Sequence, residues 1–224
     1  MVKIQVNNQG KAYIANGKAL VADKYNVVIG NLLGNVNSSG LLSRPTGNFD
    51  IIFDGVKNVN TRALSNKFMY TSAKNIYFPD LVSITGTAAC FGMFYGCSLT
   101  SAHFPLLESV TGAQGLEQIF EYAGLKTCTF PKLKTLTGSA CCRRLFGYTG
   151  SLEDIYFPAL TTSSFGSTYT DQFTNMLVGS GTSRTHTIHF PSNLQSTISG
   201  LSGYPNFGGT SGYVVCAFDL PATS

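Results

Sequence analysis

The chain carries little charge and no tryptophan. Of its 224 residues only 12% are charged, about half the usual share for soluble globular proteins. The formal net charge of +4 is mild, and the lysines are scattered along the sequence. The densest basic point is the pair Arg143–Arg144, far short of the clustered basic patch of a nucleic-acid-binding protein. We therefore expect no nucleic-acid partner.

Long apolar segments are also missing. No run of about eighteen apolar residues occurs, so we expect no membrane span. The first residues lack the continuous apolar segment of a secretory signal. We expect that the chain remains in the producing cell, leaves it by lysis or assembly, or carries a leader upstream of this sequence.

The six cysteines and three histidines form no metal-binding pattern. No C-x-x-C pair occurs, and the adjacent Cys141 and Cys142 have a poor geometry for a mutual disulfide. Buried free thiols are the favoured interpretation. His186 and His189 would point to opposite faces of a strand, and His103 would lie three strands from His189. We expect no metal and no cofactor.

A phrase centred on Phe-Pro recurs along most of the chain. It reads NIYFPDLVSITG at residues 75–86 and returns as SAHFPLLESVTG and TCTFPKLKTLTG. Successive phrases are separated by 26, 26, 27 and 33 residues, counted between Phe78, Phe104, Phe130, Phe157 and Phe190. A second phenylalanine keeps the same period at Phe68, Phe94, Phe120 and Phe146, with Phe173 before the longer last interval. Partial copies flank the set at Phe53 and at Leu220-Pro221.

Repetition at this period predicts a solenoid, because each unit is too small to bury its own apolar residues and stacked units share one core. We expect a β-rich fold, α+β at most, of about seven units of ~26 residues. The alternation before each proline predicts a strand that ends at Phe-Pro. The segment around the second phenylalanine predicts an irregular or single-turn helical connector.

The pattern L-x-x-I-x-F-P-x-L-x-x-I-T-G resembles the BspA-like (treponemal-type) leucine-rich repeat, whose consensus has L-x-x-I-x-L-P in the strand. Phe replaces Leu before the proline in five copies of this sequence. The resemblance covers roughly residues 46–224. It implies a leucine-rich-repeat stack and adhesion or ligand binding on the sheet, and it does not imply catalysis.

Residues 1–45 do not follow this period. Their alternation, with turn signals at Gly10 and at 16–17, predicts a small β-hairpin module followed by a linker or cap. The opening K-x-x-V-N-x-x-G-K-x-x-x-x-N-G-K-A-L resembles the starts of tail or fibre proteins in phages and prophages of gut bacteria. That resemblance implies an attachment segment. We divide the chain into residues 1–45 and 46–224.

Candidate binding residues follow from strand alternation. If Ile76 and Phe78 face the core, then Asn75 and Tyr77 face solvent, and stacking repeats this on every unit. Aromatic rings beside polar groups suit a sugar or a peptide, although a plain solvated face is equally compatible with the pattern. The candidates are Asn75, Tyr77, Ser101, His103, Thr127, Thr129, Asp154, Tyr156, Thr187 and His189. Asp219 is a further candidate for the last position of the Tyr77 column.

No catalytic constellation is recognisable. Glu153 and Asp154 are adjacent and would point to opposite faces, whereas a glycosidase needs two convergent acids. Glu117 and Glu121 are expected to be isolated on connectors. We therefore expect a protein that is not an enzyme and has no catalytic residue.

These features together favour a recognition or structural protein. The preferred hypothesis is a phage or prophage virion protein of the tail or fibre type. It would bind a host cell-surface protein or glycan through the sheet and other virion proteins through the N-terminal module. The alternative is an extracellular, BspA-like adhesin on the bacterial cell surface. A homo-oligomer is left open, because no coiled-coil heptad supports one.

Overall fold

The computed structural model describes the strands at residues 11–15, 18–22 and 27–31 and then residues 48–54, 56–166, 168, 170–180 and 184–223. Within these residues helix is confined to one 3-10 turn at Ser192–Leu194 and one short helix, α1, at Gln195–Ser199. The remainder consists of strands and turns, so the fold is β-rich as predicted.

Fourteen strands are distributed over two sheets in the described part of the chain. They are β1 (Lys11–Ala15), β2 (Lys18–Ala22), β3 (Val27–Asn31), β4 (Phe49–Asp54), β5 (Asn58–Val59), β6 (Ala73–Tyr77), β7 (Ser83–Ile84), β8 (Ser101–His103), β9 (Ser109–Val110), β10 (Thr127–Thr129), β11 (Thr135–Leu136), β12 (Asp154–Tyr156), β13 (His186–Pro191) and β14 (Val214–Leu220). The long sheet has the order β14-β13-β12-β10-β8-β6-β4-β1-β2-β3, and the short sheet has the order β11-β9-β7-β5.

The predicted solenoid is present. Strands β4, β6, β8, β10, β12, β13 and β14 pair in parallel, each strand one repeat unit after its neighbour. These seven strands correspond to the seven predicted units, and the six intervals between them give about six stacked turns.

The N-terminal strands continue the long sheet beyond the solenoid. Strand β1 pairs in parallel with β4, whereas β1 and β2, and then β2 and β3, pair antiparallel. The turn signals at Gly10 and at 16–17 lie outside the described residues. The division of the chain into a module at 1–45 and a solenoid at 46–224 remains a prediction.

The third side of the solenoid is a ribbon of consecutive β-turns, which we call the turn ribbon (residues 60–71, 86–97, 112–123 and 138–149). In its first layer the amides of Ala63, Ser65, Lys67 and Thr71 donate to carbonyls three residues earlier. The alternate amides, from Arg62 to Tyr70, donate to carbonyls of the next layer at 2.8–3.1 Å. Backbone polar groups on this side are therefore satisfied without a helix or a sheet.

The turn ribbon corrects the expectation of an irregular or single-turn helical connector. Every fourth residue has positive φ, as in Arg62, Asn66 and Tyr70 at 54–56°. Each of these residues lies third in a four-residue turn, where a type II turn requires positive φ. Non-glycine residues adopt this conformation only when the surrounding structure stabilises it. The ladder of amides to the next layer supplies that stabilisation.

Two columns of phenylalanine fill the core. The Phe-Pro column is stacked from Phe53 to Phe190, with successive ring centroids 3.9–5.9 Å apart. The second column, Phe68 to Phe146, has centroids 5.6–6.5 Å apart. These rings are at most 2% exposed. The repeat period therefore places the phenylalanines in continuous stacks inside the core.

Two sequence alignments within this core were wrong. The Phe146 amide donates to Met176, one residue before Leu177, just as Phe120 donates to the residue before Phe146. Leu177 therefore continues the second column, and Phe173 lies in the column of Cys142, whose amide donates to Gln172. An insertion between the fourth layer of the turn ribbon and the turns that contain Phe173 and Leu177 caused this misalignment.

The last Phe-Pro position was also misaligned. The ring of Phe218 stacks on Phe190 at 5.8 Å, and Leu220 lies opposite Pro191. Phe218 therefore occupies the position that the sequence assigned to Leu220. Between His189 and Pro191 the register shifts by one residue, since Ala217 lies opposite His189 whereas Leu220 lies opposite Pro191.

Glycines enter the turn ribbon where neighbouring backbones approach closely. A Cβ on Gly112 would lie 2.0 Å from the carbonyl oxygen of Gly86, and one on Gly138 would lie 2.3 Å from that of Gly112. Real Cβ atoms do not approach a carbonyl so closely, and the oxygen cannot withdraw because it belongs to the backbone. The repeated glycine of the T-G phrase is therefore a steric requirement of the stack.

We expect Gly112→Ala to lower the free energy of unfolding by about 2–4 kcal/mol, because the new methyl group must displace backbone. Gly150→Ala is the matched control, since a Cβ there meets nothing within 4 Å. That control should change the free energy by no more than about 0.5 kcal/mol. Urea denaturation of both variants makes the measurement, and equal effects would contradict the packing argument.

Candidate ligand-binding site

The predicted outward residues lie in two columns on the long sheet. Strand pairing places Tyr77 opposite His103, Thr129 opposite both His103 and Tyr156, and Tyr156 opposite His189. The other column pairs Asn75 with Ser101, and Asp154 with both Thr127 and Thr187. All ten side chains are exposed or partly exposed, whereas the residues between them in each strand are buried.

The column that contains Asn75 is linked by hydrogen bonds near its start. The Asn75 amide nitrogen donates to Asp50 Oδ1 at 2.6 Å. Its amide oxygen accepts from the hydroxyls of Ser101 at 2.7 Å and Thr100 at 2.9 Å. Since both ends of the Asn75 amide are engaged, it is held as part of the polar surface.

The column that contains Tyr77 includes two stacked pairs of rings. Tyr77 and His103 have centroids 4.8 Å apart and planes within 6° of parallel. Tyr156 and His189 have centroids 4.3 Å apart and planes within 8° of parallel. Mutual stacking fixes the orientation of all four rings, which lie one per strand along the solenoid axis.

Thr129 interrupts this aromatic column. It lies between His103 and Tyr156 in the register, so one face of each ring is directed towards it. An open depression of about 390 Å³ adjoins Thr129 on its His103 side, over β8 and β10. Its lining residues include Tyr77, Ser101, His103, Thr127 and Thr129, together with Thr100, Ala102, Phe104, Pro105, Cys128 and Pro131.

The column ends at a cluster of one histidine and two aspartates. His189 Nδ1 lies 2.9 Å from Asp219 Oδ2, and Nε2 lies 3.2 Å from Asp154 Oδ1. Burial opposes protonation of His189, but hydrogen bonding and attraction from Asp219 and Asp154 outweigh it, so the pKa of His189 is raised above its ordinary value. The register places Ala217 opposite His189, so Asp219 is not the next column member, although its carboxylate reaches the ring.

The other histidines are placed as expected from the strand pattern. His186 is buried, and its Nδ1 lies 2.7 Å from the carbonyl oxygen of Leu152, whereas His189 faces outward on the same strand. His103 and His189 lie three strands apart. Among the described residues, no group of three or more His, Cys, Asp or Glu side chains is placed to hold a metal ion.

An exposed tyrosine ladder on the turn ribbon was missed from the sequence. It consists of Tyr70, Tyr95, Tyr122 and Tyr148, whose successive ring centroids are 5.3, 5.3 and 4.6 Å apart. Tyr70, Tyr122 and Tyr148 are 55%, 47% and 40% exposed. Their spacing of 25–27 residues follows the repeat and would have revealed the ladder. Because the ladder is the second exposed aromatic surface of the solenoid, it provides a matched comparison for the first.

The prediction that Glu117 and Glu121 are isolated was wrong. Their side chains are 2% and 0% exposed and pair with Arg143 at 2.6 Å and with Arg144 at 2.5 Å. Burial raises the pKa of Glu121, while Arg144 opposes that shift. Since each carboxylate is held by an arginine of the next layer of the turn ribbon, the two pairs connect neighbouring layers.

All six cysteines are free thiols, as the sequence favoured. Five are buried and Cys216 is partly buried. The adjacent Cys141 and Cys142 have sulfur atoms 4.0 Å apart. Burial raises the pKa of Cys128 to about 12 and of Cys216 to about 11, despite one opposing backbone hydrogen bond at Cys128. Both thiols are therefore protonated at neutral pH, which makes them poor nucleophiles.

Comparison with known proteins leaves the family open. No family model, no curated protein and no solved structure matches the chain. The similarity to BspA-like repeats and to tail or fibre proteins therefore remains a resemblance of sequence pattern. In the described part of the chain, no helix has the length and apolar character needed to cross a membrane.

We expect the native thiols to resist alkylation. Iodoacetamide at about pH 8 should modify Cys216 slowly and the five buried cysteines only after unfolding, because modification requires an accessible thiolate. Mass spectrometry of the native and urea-unfolded protein counts the modified thiols. Rapid modification of a buried cysteine in the native protein would contradict the packing described above.

Proposed function

We propose that the protein is a non-enzymatic recognition protein that binds a glycan of a host cell surface on the long sheet. In this proposal one sugar ring lies over Thr129, between the rings of His103 and Tyr156. The Thr129 interruption is the observation that carries the proposal. A purely solvated face would not require two ordered ring pairs on either side of a small residue.

The spacing at Thr129 fits one sugar ring. His103 and Tyr156 lie two strands apart, which corresponds to about 9.6 Å along the solenoid axis. A ring at the midpoint would lie about 4.8 Å from each neighbour, within the range of ring stacking. The two stacks already present have centroid distances of 4.8 and 4.3 Å. A bound sugar would therefore continue the column at nearly its own spacing.

Polar groups beside this gap suit the hydroxyls of a sugar. Thr127 and Asp154 are paired in the adjacent column, and Ser101 lines the depression. Hydroxyl and carboxylate groups provide hydrogen-bond donors and acceptors. The combination of an apolar ring face with a few polar groups at its edge is typical of small-ligand sites.

For the biological setting, we propose a phage or prophage virion protein of the tail or fibre type. The resemblance of the opening residues supports this setting, and the N-terminal strands would attach the solenoid to other virion proteins. The alternative remains a BspA-like adhesin on the bacterial cell surface, supported by the resemblance of the repeat. Both settings require a ligand-binding solenoid.

Thr129→Tyr provides a sharp test of the sugar site, because it fills the gap and leaves His103 and Tyr156 in place. Surface β positions accept tyrosine well, so the fold should be retained. Binding is measured by isothermal titration calorimetry against the glycan that gives the strongest signal on a defined array. We expect the affinity to fall at least tenfold, about 1.4 kcal/mol.

The matched control uses the other exposed aromatic surface. Tyr122→Ala on the turn ribbon should leave glycan binding unchanged, whereas Tyr156→Ala should weaken it. If Tyr122→Ala abolishes binding and Thr129→Tyr does not, the tyrosine ladder is the binding surface. If no glycan binds and a host surface protein binds through the Thr129 face, the ligand class is wrong.

The setting has a separate test. Particles released after prophage induction are purified on a density gradient and analysed by mass spectrometry. We expect peptides of this chain to co-purify with the tail proteins in stoichiometric amounts. Detection on the surface of intact bacteria by antibody, with none in the particles, would favour the adhesin.

A further inference from the structure

We propose that protonated His189 holds β14 against the rest of the long sheet and that loss of the proton weakens this contact. We call this arrangement the His189 clamp. The imidazole lies on β13 and contacts one carboxylate from each neighbouring strand, Asp154 on β12 and Asp219 on β14. One ring therefore links three successive strands at the C-terminal end of the solenoid.

The geometry indicates the protonation state of the His189 imidazole. Both imidazole nitrogens lie within hydrogen-bond distance of carboxylate oxygens, at 2.9–3.0 Å for Asp219 and 3.2 Å for Asp154. A carboxylate only accepts hydrogen bonds, and a neutral imidazole has one donor nitrogen and one acceptor nitrogen. Only the imidazolium donates to both aspartates. After loss of the proton, one nitrogen lone pair faces a carboxylate, which is repulsive.

The surroundings of the ring favour its charged form. The titratable groups that face the imidazole in the described structure are Asp154 and Tyr156 from β12 and Asp219 from β14. Tyr156 stacks on the ring at 4.3 Å, where its π-face attracts a cation. Burial and then the charges of Asp154 and Asp219 raise the pKa of Tyr156, so its phenol stays neutral at neutral pH.

Strand β14 is the part of the sheet that such a clamp would control. It is the terminal strand in the sheet order, with β13 as its partner. Phe218 and Cys216 are only partly buried, whereas their counterparts Phe190 and Ile188 are fully buried. Because β14 buries less apolar surface, one charged contact has a larger share in holding it.

The direction of the pH effect follows from the raised pKa of His189. The stabilising contribution is fully present below the ordinary histidine pKa and is lost as the pH rises through the higher pKa of the folded state. Strand β14 should therefore be held most tightly in mildly acidic solution. If the proposed sugar site is correct, the stack formed by Tyr156 and His189 also makes ligand affinity pH-dependent. Only this effect on ligand affinity rests on the proposed function.

The test needs no ligand and uses the full chain. Nuclear magnetic resonance follows the imidazole nitrogens of all three histidines, and hydrogen exchange measures the protection factors of β14 and β8. We expect both nitrogens of His189 to be protonated at about pH 6. Between about pH 5.5 and 8.5, protection of β14 should fall on the order of tenfold, while β8 stays unchanged.

Variants separate the clamp from a general pH effect. His189→Gln should remove the pH dependence of β14 protection, and Asp219→Asn should weaken it. His103→Gln is the matched control, because His103 lies in the same column and stacks on Tyr77, and it should retain the wild-type profile. A neutral His189 ring at pH 6, or constant β14 protection while His189 titrates, would overturn the proposal. Loss of the profile in His103→Gln would also overturn it.

Discussion

The structure depends on backbone hydrogen bonding between units in register. On the long sheet, the short sheet and the turn ribbon, the backbones of successive units are hydrogen-bonded to each other, and the strand register does not shift from β6 to β12. Neighbouring units are then about 4.8 Å apart, and each side chain lies on its counterpart one period away. Residues of the same kind therefore stack along most of the core. Phe stacks on Phe in the core, and glycine follows glycine where carbonyls crowd the turn ribbon.

The same register produces the outward columns, but there the steric requirement is weaker. A missing ring inside would leave a cavity with a large cost in stability. A missing ring outside is filled by solvent, so Thr129 can replace an aromatic residue between His103 and Tyr156. The depression beside Thr129 lies over β8 and β10 on this face. This difference between inside and outside would allow a structural repeat to carry the proposed binding site.

Some of the few charged groups join neighbouring units. Glu117 with Arg143, and Glu121 with Arg144, connect the third and fourth layers of the turn ribbon across nearly buried contacts. A buried carboxylate is unfavourable unless it is paired, so each glutamate requires its arginine. His189 with Asp154 and Asp219 joins the last three strands in the same manner. At these points ionic contacts connect neighbouring units of the solenoid.

The sequence by itself determined the solenoid, its period and the inward or outward direction of the strand residues, because these follow from repeated residue types and the two-residue alternation of a strand. It also identified all ten outward positions. Only the tertiary structure decided that the connectors form a turn ribbon and that Leu177 and Phe218 continue the phenylalanine columns. Backbone conformation and register after an insertion depend on contacts with the next unit. The sequence likewise placed His103, Thr129 and Tyr156 in one column, whereas the parallel ring pairs and the reach of Asp219 to His189 depend on side-chain packing in three dimensions.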